Sequence, residues 1–279
     1  MSYEELWKRL TAVYDEREAK AVAQYVLDVG YGLSFTDVIC GGLQRLTPAE
    51  QQQLETMAAR LEQAEPVQYV LGMADFCGRM FHVEPGVLIP RPETAMLCQW
   101  IISEQKGRDT ASILDIGTGS GCIACTLAAE LPAAAVTAWD ISKQALVIAR
   151  DNARRMGLNV TFCRTDILCD PPIPAEGWSL IVSNPPYIYI KEQSEMARNV
   201  LDYEPHEALF APGDDPLRFY QHISDYAILT LTAGGRLFLE MNPLLTETVA
   251  HYLSTHGLND VEVKKDPYGK LRYIKATKL

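Results

Sequence analysis

The sequence contains no apolar run long enough to cross a membrane. A membrane helix needs ~20 consecutive, mostly apolar residues, and no segment of the chain approaches that length. Residues 1–20 mix acidic, basic and apolar side chains, so they lack both the basic start and the apolar centre of a signal peptide. We therefore expect a cytoplasmic protein that does not bind membranes.

A complete set of zinc ligands is also missing. Cys122 and Cys125 form a Cys-x-x-Cys pair, but no second pair and no nearby histidine accompanies them. The seven cysteines are odd in number, and most of them lie in apolar runs. We predict reduced structural thiols and no metal site.

Positive charge is scarce. The 25 Lys and Arg residues are outnumbered by 36 Asp and Glu residues, which gives a net charge of −11. Because phosphate contacts dominate the affinity of proteins for nucleic acid, this balance disfavours stable nucleic-acid binding. The contents of 48% hydrophobic and 22% charged residues are those of a globular protein.

Three segments of the chain carry different patterns. In residues 1–65, apolar residues recur every three or four positions, which predicts a helical bundle. Residues 66–92 contain short β-like runs separated by glycine, among them Tyr69–Gly72, and predict a β-hairpin linker. In residues 93–279 strands and helices alternate, which predicts an α/β domain with a mostly parallel sheet. Its last two strands share a short turn and should pair antiparallel.

A glycine-rich turn follows the first predicted strand of the third segment. Its residues are Gly117, Thr118, Gly119, Ser120 and Gly121. Glycine lets a ligand approach the backbone closely. A dinucleotide site would require glycine at the next position, where a cysteine stands, and the Gly-Lys-Ser/Thr of a P-loop is absent. The remaining pattern, Asp-x-Gly-x-Gly-x-Gly, is one that S-adenosylmethionine-dependent methyltransferases use.

Acidic residues follow the next two predicted strands. Asp140 ends the second strand, where a carboxylate can accept hydrogen bonds from both hydroxyls of a ribose. Asp166 and Ile167 follow the third strand, where polar and apolar groups can hold an adenine. Since ligands bind at the carboxyl ends of parallel strands, these residues should belong to the same site as the glycine turn.

The run Asn184, Pro185, Pro186 and Tyr187 follows the fourth predicted strand. The Asn184 side-chain oxygen and the Pro185 carbonyl can accept both N–H bonds of a planar NH₂ group, which favours positive charge on an attacking nitrogen. Tyr187 can stack on the planar group. We predict an N-methyltransferase whose catalytic centre is this run, with S-adenosylmethionine as cofactor beside Asn184.

The chain resembles the release-factor glutamine methyltransferases of the HemK/PrmC type over nearly its whole length. Besides the two motifs, the resemblance rests on residues 66–72, 76–81, 88–94, 203–205, 208–209 and 234–235. It departs from the usual pattern at Ala95, where an acid is usual, and at Met241-Asn242, where Ile-Gly is usual.

The resemblance implies a seven-stranded, Rossmann-like methyltransferase sheet and, as substrate, the glutamine in the Gly-Gly-Gln loop of peptide-chain release factors. It also implies that residues 117–121 hold the methionine part of the cofactor, Asp140 the ribose and Ile167 the adenine. Residues 184–187 would hold the glutamine amide, and Arg91 and Glu93 would line or brace the entrance. We expect a monomer whose helical segment recognises the protein substrate.

Three alternatives remain open. The substrate could be a glutamine of a ribosomal protein, or the chain could methylate adenine N6 in nucleic acid, since base flipping would use the same motif. A non-catalytic interaction protein that binds S-adenosylmethionine belongs to a different class; binding without turnover would distinguish it.

Overall fold

The computed structural model describes residues 1–106, 111–169 and 171–279, which form two compact units. The first unit comprises Met1–Met73 with Met196–Tyr203, and the second comprises Ala74–Glu195 with Glu204–Leu279. Within the described ranges, every helix is too short or too polar to cross a membrane.

The α-helices are numbered in chain order. They are Tyr3–Leu10 (α1), Glu16–Tyr31 (α2), Phe35–Ile39 (α3), Pro48–Leu61 (α4), Val67–Leu71 (α5), Pro92–Gln105 (α6), Cys122–Glu130 (α7), Lys143–Arg155 (α8), Arg198–Tyr203 (α9), His206–Leu209 (α10), Leu217–Thr230 (α11) and Thr246–Thr255 (α12). Short 3₁₀ helices occupy Gly42–Arg45, Ile190–Glu195, Pro212–Asp214 and Pro243–Leu245.

The strands belong to a two-stranded and a seven-stranded sheet. They are Met73–Phe76 (β1), Arg79–His82 (β2), Ser112–Ile116 (β3), Ala135–Asp140 (β4), Val160–Arg164 (β5), Trp178–Ser183 (β6), Leu231–Glu240 (β7), Asn259–Lys265 (β8) and Leu271–Thr277 (β9).

The helices of the first unit bury one continuous apolar core. Leu6 and Leu10 of α1 meet Leu27 of α2 and Leu54 of α4, and all four are almost fully buried. Helix α4 begins with a capping box: the Thr47 hydroxyl accepts from Glu50 N, and the Glu50 carboxylate accepts from Thr47 N. Each end of this capping box satisfies a donor that the first helical turn leaves free.

The β-like interpretation of Tyr69–Gly72 is wrong, because these residues lie in and at the end of helix α5. The Pro66 carbonyl accepts hydrogen bonds from the N–H groups of Tyr69 and Val70, at 2.9 and 3.0 Å, and so closes a helical turn. Gly72 ends the helix with φ of 70°, a left-handed conformation suited to glycine.

The predicted hairpin is present and consists of β1 and β2. Its turn residues Cys77 and Gly78 both have positive φ, 52° and 73°. Two positive φ values are what the tight type I′ turn requires, because its twist matches that of the strands.

The seven-stranded sheet has the order β5-β4-β3-β6-β7-β9-β8. The first five strands in this order are parallel, and β9 pairs antiparallel with both β7 and β8. The predicted mostly parallel sheet and its antiparallel final pair are therefore confirmed. Side chains alternate between two buried clusters, with Leu114 and Ile181 on one face and Ile113 and Leu180 on the other.

The strand order contains a switch point at β3. From β3 the chain moves outward to β4 and β5, and it then returns to place β6 on the other side of β3. In such sheets a crevice opens outside the carboxyl ends of the strands at this point. The glycine turn after β3 and the Asn184 run after β6 flank the crevice.

Candidate active site

A buried carboxylate holds the glycine turn. Asp115 Oδ2 accepts hydrogen bonds from the Thr118 hydroxyl at 2.6 Å and from Ala124 N at 3.1 Å, the latter within the first turns of α7. Asp115 is fully buried, and its Oδ1 has no partner among the described residues. Burial raises the pKa of Asp115 to about 7, although these hydrogen bonds oppose the rise.

Gly117 and Gly119 leave open space above the turn. The N–H groups of Gly117 and Thr118 both donate to the Trp139 carbonyl at 2.9 Å, which fastens the turn to the end of β4. Gly117 and Gly119 have φ of 73° and 54°, and a Cβ atom built on either would meet no protein atom within 4 Å. The turn is therefore shaped to admit another molecule against its backbone.

Asp140 lies beside the same turn. Its carboxylate accepts from Gly119 N at 2.9 Å and from Ser142 N at 2.8 Å, and the carbonyl of Asp140 accepts from Thr165 N. Burial raises the pKa of Asp140, and the backbone hydrogen bonds oppose this shift. Each carboxylate oxygen retains acceptor capacity beyond the bond it already makes.

One cavity of about 270 Å³ brings most of the predicted residues together. The predicted residues that line it are Gly117, Gly119, Asp140, Asp166, Ile167, Asn184, Pro185 and Pro186. Thr118, Ser120, Gly121 and Tyr187 lie outside the described lining of this cavity. Thr118 donates to Asp115, as above, and Gly121 packs against Ala149 of α8, so both residues fix the glycine turn without lining the cavity.

Sequence reasoning missed part of the wall. Val87 and Leu88, which follow the hairpin, line the cavity together with Pro205 and Glu207 and with Phe219 of α11. Leu88 and Pro205 belong to segments that carry the family resemblance, but Glu207 and α11 carried no local signal for a ligand site.

The buried side chain of Glu204 connects the segment that contains Leu88 to the segment that contains Pro205. Glu204 is 3% exposed; its carboxylate accepts from Ile89 N at 3.0 Å and forms an ion pair with Arg91. The expected role of Arg91 at the entrance stays a prediction, which this ion pair supports. The corresponding expectation for Glu93 stays a prediction.

The Asn184 run flanks the crevice opposite the glycine turn, and hydrogen bonds anchor it to the neighbouring strands and loops. The Ser183 hydroxyl, fully buried, donates to the Ile116 carbonyl at 2.7 Å and ties the ends of β6 and β3 together. Asn184 is half-buried, and its Nδ2 donates to the Thr94 hydroxyl at 3.1 Å. The Asn242 side chain holds the end of the run by donating to the Tyr187 carbonyl at 3.0 Å.

Glu240 lies beneath this run and was not predicted as a site residue. It is 1% exposed, and its two carboxylate oxygens accept from the Thr94 hydroxyl at 2.7 Å and from the Tyr187 hydroxyl at 3.1 Å. Arg272 donates to the Tyr187 hydroxyl at 3.2 Å and pairs with the buried Asp266. Burial raises the pKa of Glu240, whereas the two hydrogen bonds and the charge of Arg272 oppose the rise.

The Cys122 and Cys125 thiols lie in the apolar core rather than on the cavity. Burial raises the pKa of Cys125 to about 12 and raises that of Cys122 further. A thiol that stays protonated is a poor nucleophile and a poor metal ligand, so packing accounts for this pair.

Comparison with known proteins identifies relatives over nearly the whole chain. Residues 93–214 match the family described as methyltransferase small domain, and residues 4–72 match the PrmC N-terminal domain. The chain is 43% identical to a release factor glutamine methyltransferase of Bacteroides thetaiotaomicron, with 96% of each protein covered. The protein of the same name from Flavobacterium psychrophilum is 39% identical and covers 96% of this chain, with 94% of its own length aligned.

A solved structure shares the fold. A methyltransferase from Pyrococcus furiosus superimposes with a TM-score of 0.52, covering 83% of this chain and 99% of that one, at 18% sequence identity. At this identity the likeness concerns the architecture alone.

Proposed function

The chain belongs to the release factor glutamine methyltransferases, which use S-adenosylmethionine, and we propose that it methylates the side-chain amide nitrogen of the glutamine in the Gly-Gly-Gln loop of peptide-chain release factors. One observation carries the proposal for the site. Asn184 and Pro185 line the same cavity as the glycine turn, so a methyl donor and an amide can meet there.

The residues present fit this methyl donor. When bound, S-adenosylmethionine supplies an electrophilic methyl group on a positively charged sulfur. We assign its methionine part to the open backbone above Gly117 and Gly119, and its ribose hydroxyls to the Asp140 carboxylate. Ile167, which is 7% exposed on the same cavity, offers an apolar contact for the adenine.

Asn184 and Pro185 orient the substrate amide. The Asn184 Oδ1 and the Pro185 carbonyl accept its two N–H bonds and thereby direct the nitrogen lone pair toward the methyl group. As positive charge develops on the nitrogen, both hydrogen bonds strengthen, which lowers the barrier. No strong base is required, because the proton leaves the nitrogen after the methyl group has been transferred.

The test is methyl transfer from labelled S-adenosylmethionine to purified release factor, alongside a variant in which the glutamine of the Gly-Gly-Gln loop is alanine. We expect label on the unaltered factor alone. Label on both would place the methyl group on a different residue. Label on neither would contradict the substrate assignment, and the same assay would then be run on ribosomal proteins and nucleic acid.

A further inference from the structure

Asn184 is connected to a buried carboxylate through one hydroxyl group. We propose that Thr94 and Glu240 are positioning residues that hold the Asn184 amide in the orientation in which its oxygen faces the substrate. The inference rests on the proposed function, because it concerns how the glutamine amide is recognised.

The direction of the hydrogen bonds follows from counting donors. An ionised carboxylate only accepts, so the single proton of the Thr94 hydroxyl is committed to Glu240 Oε2, 2.7 Å away. Thr94 Oγ1 can then only accept from its other neighbour. The Asn184 atom at 3.1 Å must therefore be the NH₂ group, and the oxygen points away from Thr94.

The Asn184 oxygen is thereby left for a ligand. Among the described residues, none donates a hydrogen bond to it, and Asn184 lines the cavity. Hydrogen bonds in a chain polarise one another, so donation toward Thr94 and Glu240 also makes the Asn184 oxygen a stronger acceptor.

Hydrogen bonds to the second carboxylate oxygen of Glu240 also stabilise its ionised form. Its second oxygen accepts from the Tyr187 hydroxyl, which in turn accepts from the guanidinium of Arg272. Both oxygens of Glu240 thus receive hydrogen bonds from hydroxyl groups. The same carboxylate orients Asn184 through Thr94 and fixes the ring of Tyr187 directly.

A fixed Asn184 would select glutamine over glutamate. The Asn184 oxygen and the Pro185 carbonyl are both acceptors, so they complement an NH₂ group and repel a carboxylate. If Asn184 could rotate, it would present its own NH₂ group, and the repulsion of glutamate would weaken.

Thr94→Val removes the hydroxyl at nearly constant size, and Thr94→Ser retains it. We expect Thr94→Val to lower kcat for release factor roughly tenfold, a smaller loss than that from deleting a direct polar contact. S-adenosylmethionine affinity should stay unchanged, and Thr94→Ser should recover most of the lost turnover. Thr126→Val is the matched control, because Thr126 is also fully buried and its hydroxyl has no partner among the described residues.

Two further measurements distinguish a positioning role of Thr94 from a general loss of activity caused by disturbed packing. In an Asn184→Ala background, Thr94→Val should cause little additional loss, since both changes act through the same amide. A release-factor peptide carrying glutamate in place of the glutamine should inhibit Thr94→Val more strongly than the unaltered enzyme, by about threefold or more in its inhibition constant.

Full turnover by Thr94→Val would overturn the proposal, and so would equal losses in Thr94→Val and Thr94→Ser. An unchanged inhibition constant for the glutamate peptide, or additive losses in the double variant, would reduce Thr94 to a packing residue. These results leave the proposed function intact. That function fails only if the unaltered enzyme labels no glutamine.

Discussion

Asn184 and Asp140 line the same cavity, but their substitution should impair different steps. Asn184→Ala removes one acceptor that acts on the reacting nitrogen, so we expect turnover to fall by ~10²-fold or more while S-adenosylmethionine binding is nearly unchanged. Single-turnover methyl transfer and calorimetry measure the two quantities. Unchanged turnover would contradict the role assigned to Asn184.

Asp140→Ala should act on cofactor binding first. The proposed hydrogen bonds from ribose hydroxyls to a charged group contribute ~1.5–3 kcal/mol each, so we expect affinity for S-adenosylmethionine to fall at least tenfold. Asp140→Asn is the control, since it preserves the shape and one acceptor. If calorimetry gave unaltered affinity for Asp140→Ala, the ribose would have to bind elsewhere.

Titration of Asp115 should make the folded protein less stable as the pH rises. Its pKa of about 7 in the folded protein exceeds that of an exposed aspartate, so the folded state binds the proton more tightly than the unfolded state. Its stabilising contribution is complete at acid pH and is lost as the pH rises through 7, at up to ~1.4 kcal/mol per pH unit.

Asp115→Asn removes this titration and retains an oxygen that can accept from Ala124 N. The free energy of unfolding of the unaltered protein should therefore decline relative to Asp115→Asn between pH 5 and pH 7. Urea unfolding at several pH values measures the difference. Parallel curves for the two proteins would show that Asp115 does not titrate in this range.

The sequence predicted the site residues that belong to local patterns and missed those that distant contacts create. Gly117 and Asn184 each follow a strand in a recognisable motif, Asp140 ends another strand, and the structure brings the three residues to one cavity. Glu240 could not be found in this way, because its partner Thr94 lies 146 residues earlier in the chain. Only the folded sheet shows that the two side chains meet.

At the scale of elements, short and proline-flanked segments were the hardest to predict. Helix α6 is hard to predict because Pro90 and Pro92 favour extended backbone in the residues that precede each of them. Yet Pro92 occupies the first helical turn, where a missing N–H is harmless. The long alternation of strands and helices after residue 110 was predictable, because buried parallel strands impose their own hydrophobic pattern.

The glycine before helix α7 should contribute to the stability of the protein, and substitution can test this. Gly121 has φ of 80°, and a Cβ atom there would lie 3.0 Å from the Cβ of Ala149 in helix α8. Gly121→Ala should destabilise the protein by ~1–3 kcal/mol through backbone strain and overpacking. Thermal unfolding with and without S-adenosylmethionine provides the measurement.

Gly117→Ala is the matched comparison for this prediction. Its backbone φ is similar, 73°, but its Cβ would enter open space beside the cavity. We expect a smaller loss of stability and a larger loss of S-adenosylmethionine affinity than in Gly121→Ala. The reverse ranking would contradict the assignment of Gly121 to stability and of Gly117 to S-adenosylmethionine binding.

At the scale of the whole molecule, the helical unit should matter for protein substrates rather than for the chemistry. Removing residues 1–72 should raise KM for intact release factor more than KM for a short glutamine peptide, since an extended interface loses more than a single contact. S-adenosylmethionine affinity controls for the integrity of the remaining fold. Equal losses on both substrates would argue against recognition by these helices.

The first compact unit is built from two separated stretches of chain, Met1–Met73 and Met196–Tyr203. Within it, the Tyr203 hydroxyl donates to the Gln63 carbonyl at 2.7 Å. During synthesis the buried apolar core of this unit, which lies within residues 6–70, can collapse early. Its last helix, α9, emerges from the ribosome only after more than a hundred further residues, so the amino-terminal unit can begin to fold first but can complete its structure only after residues 74–195 of the second unit have been synthesised.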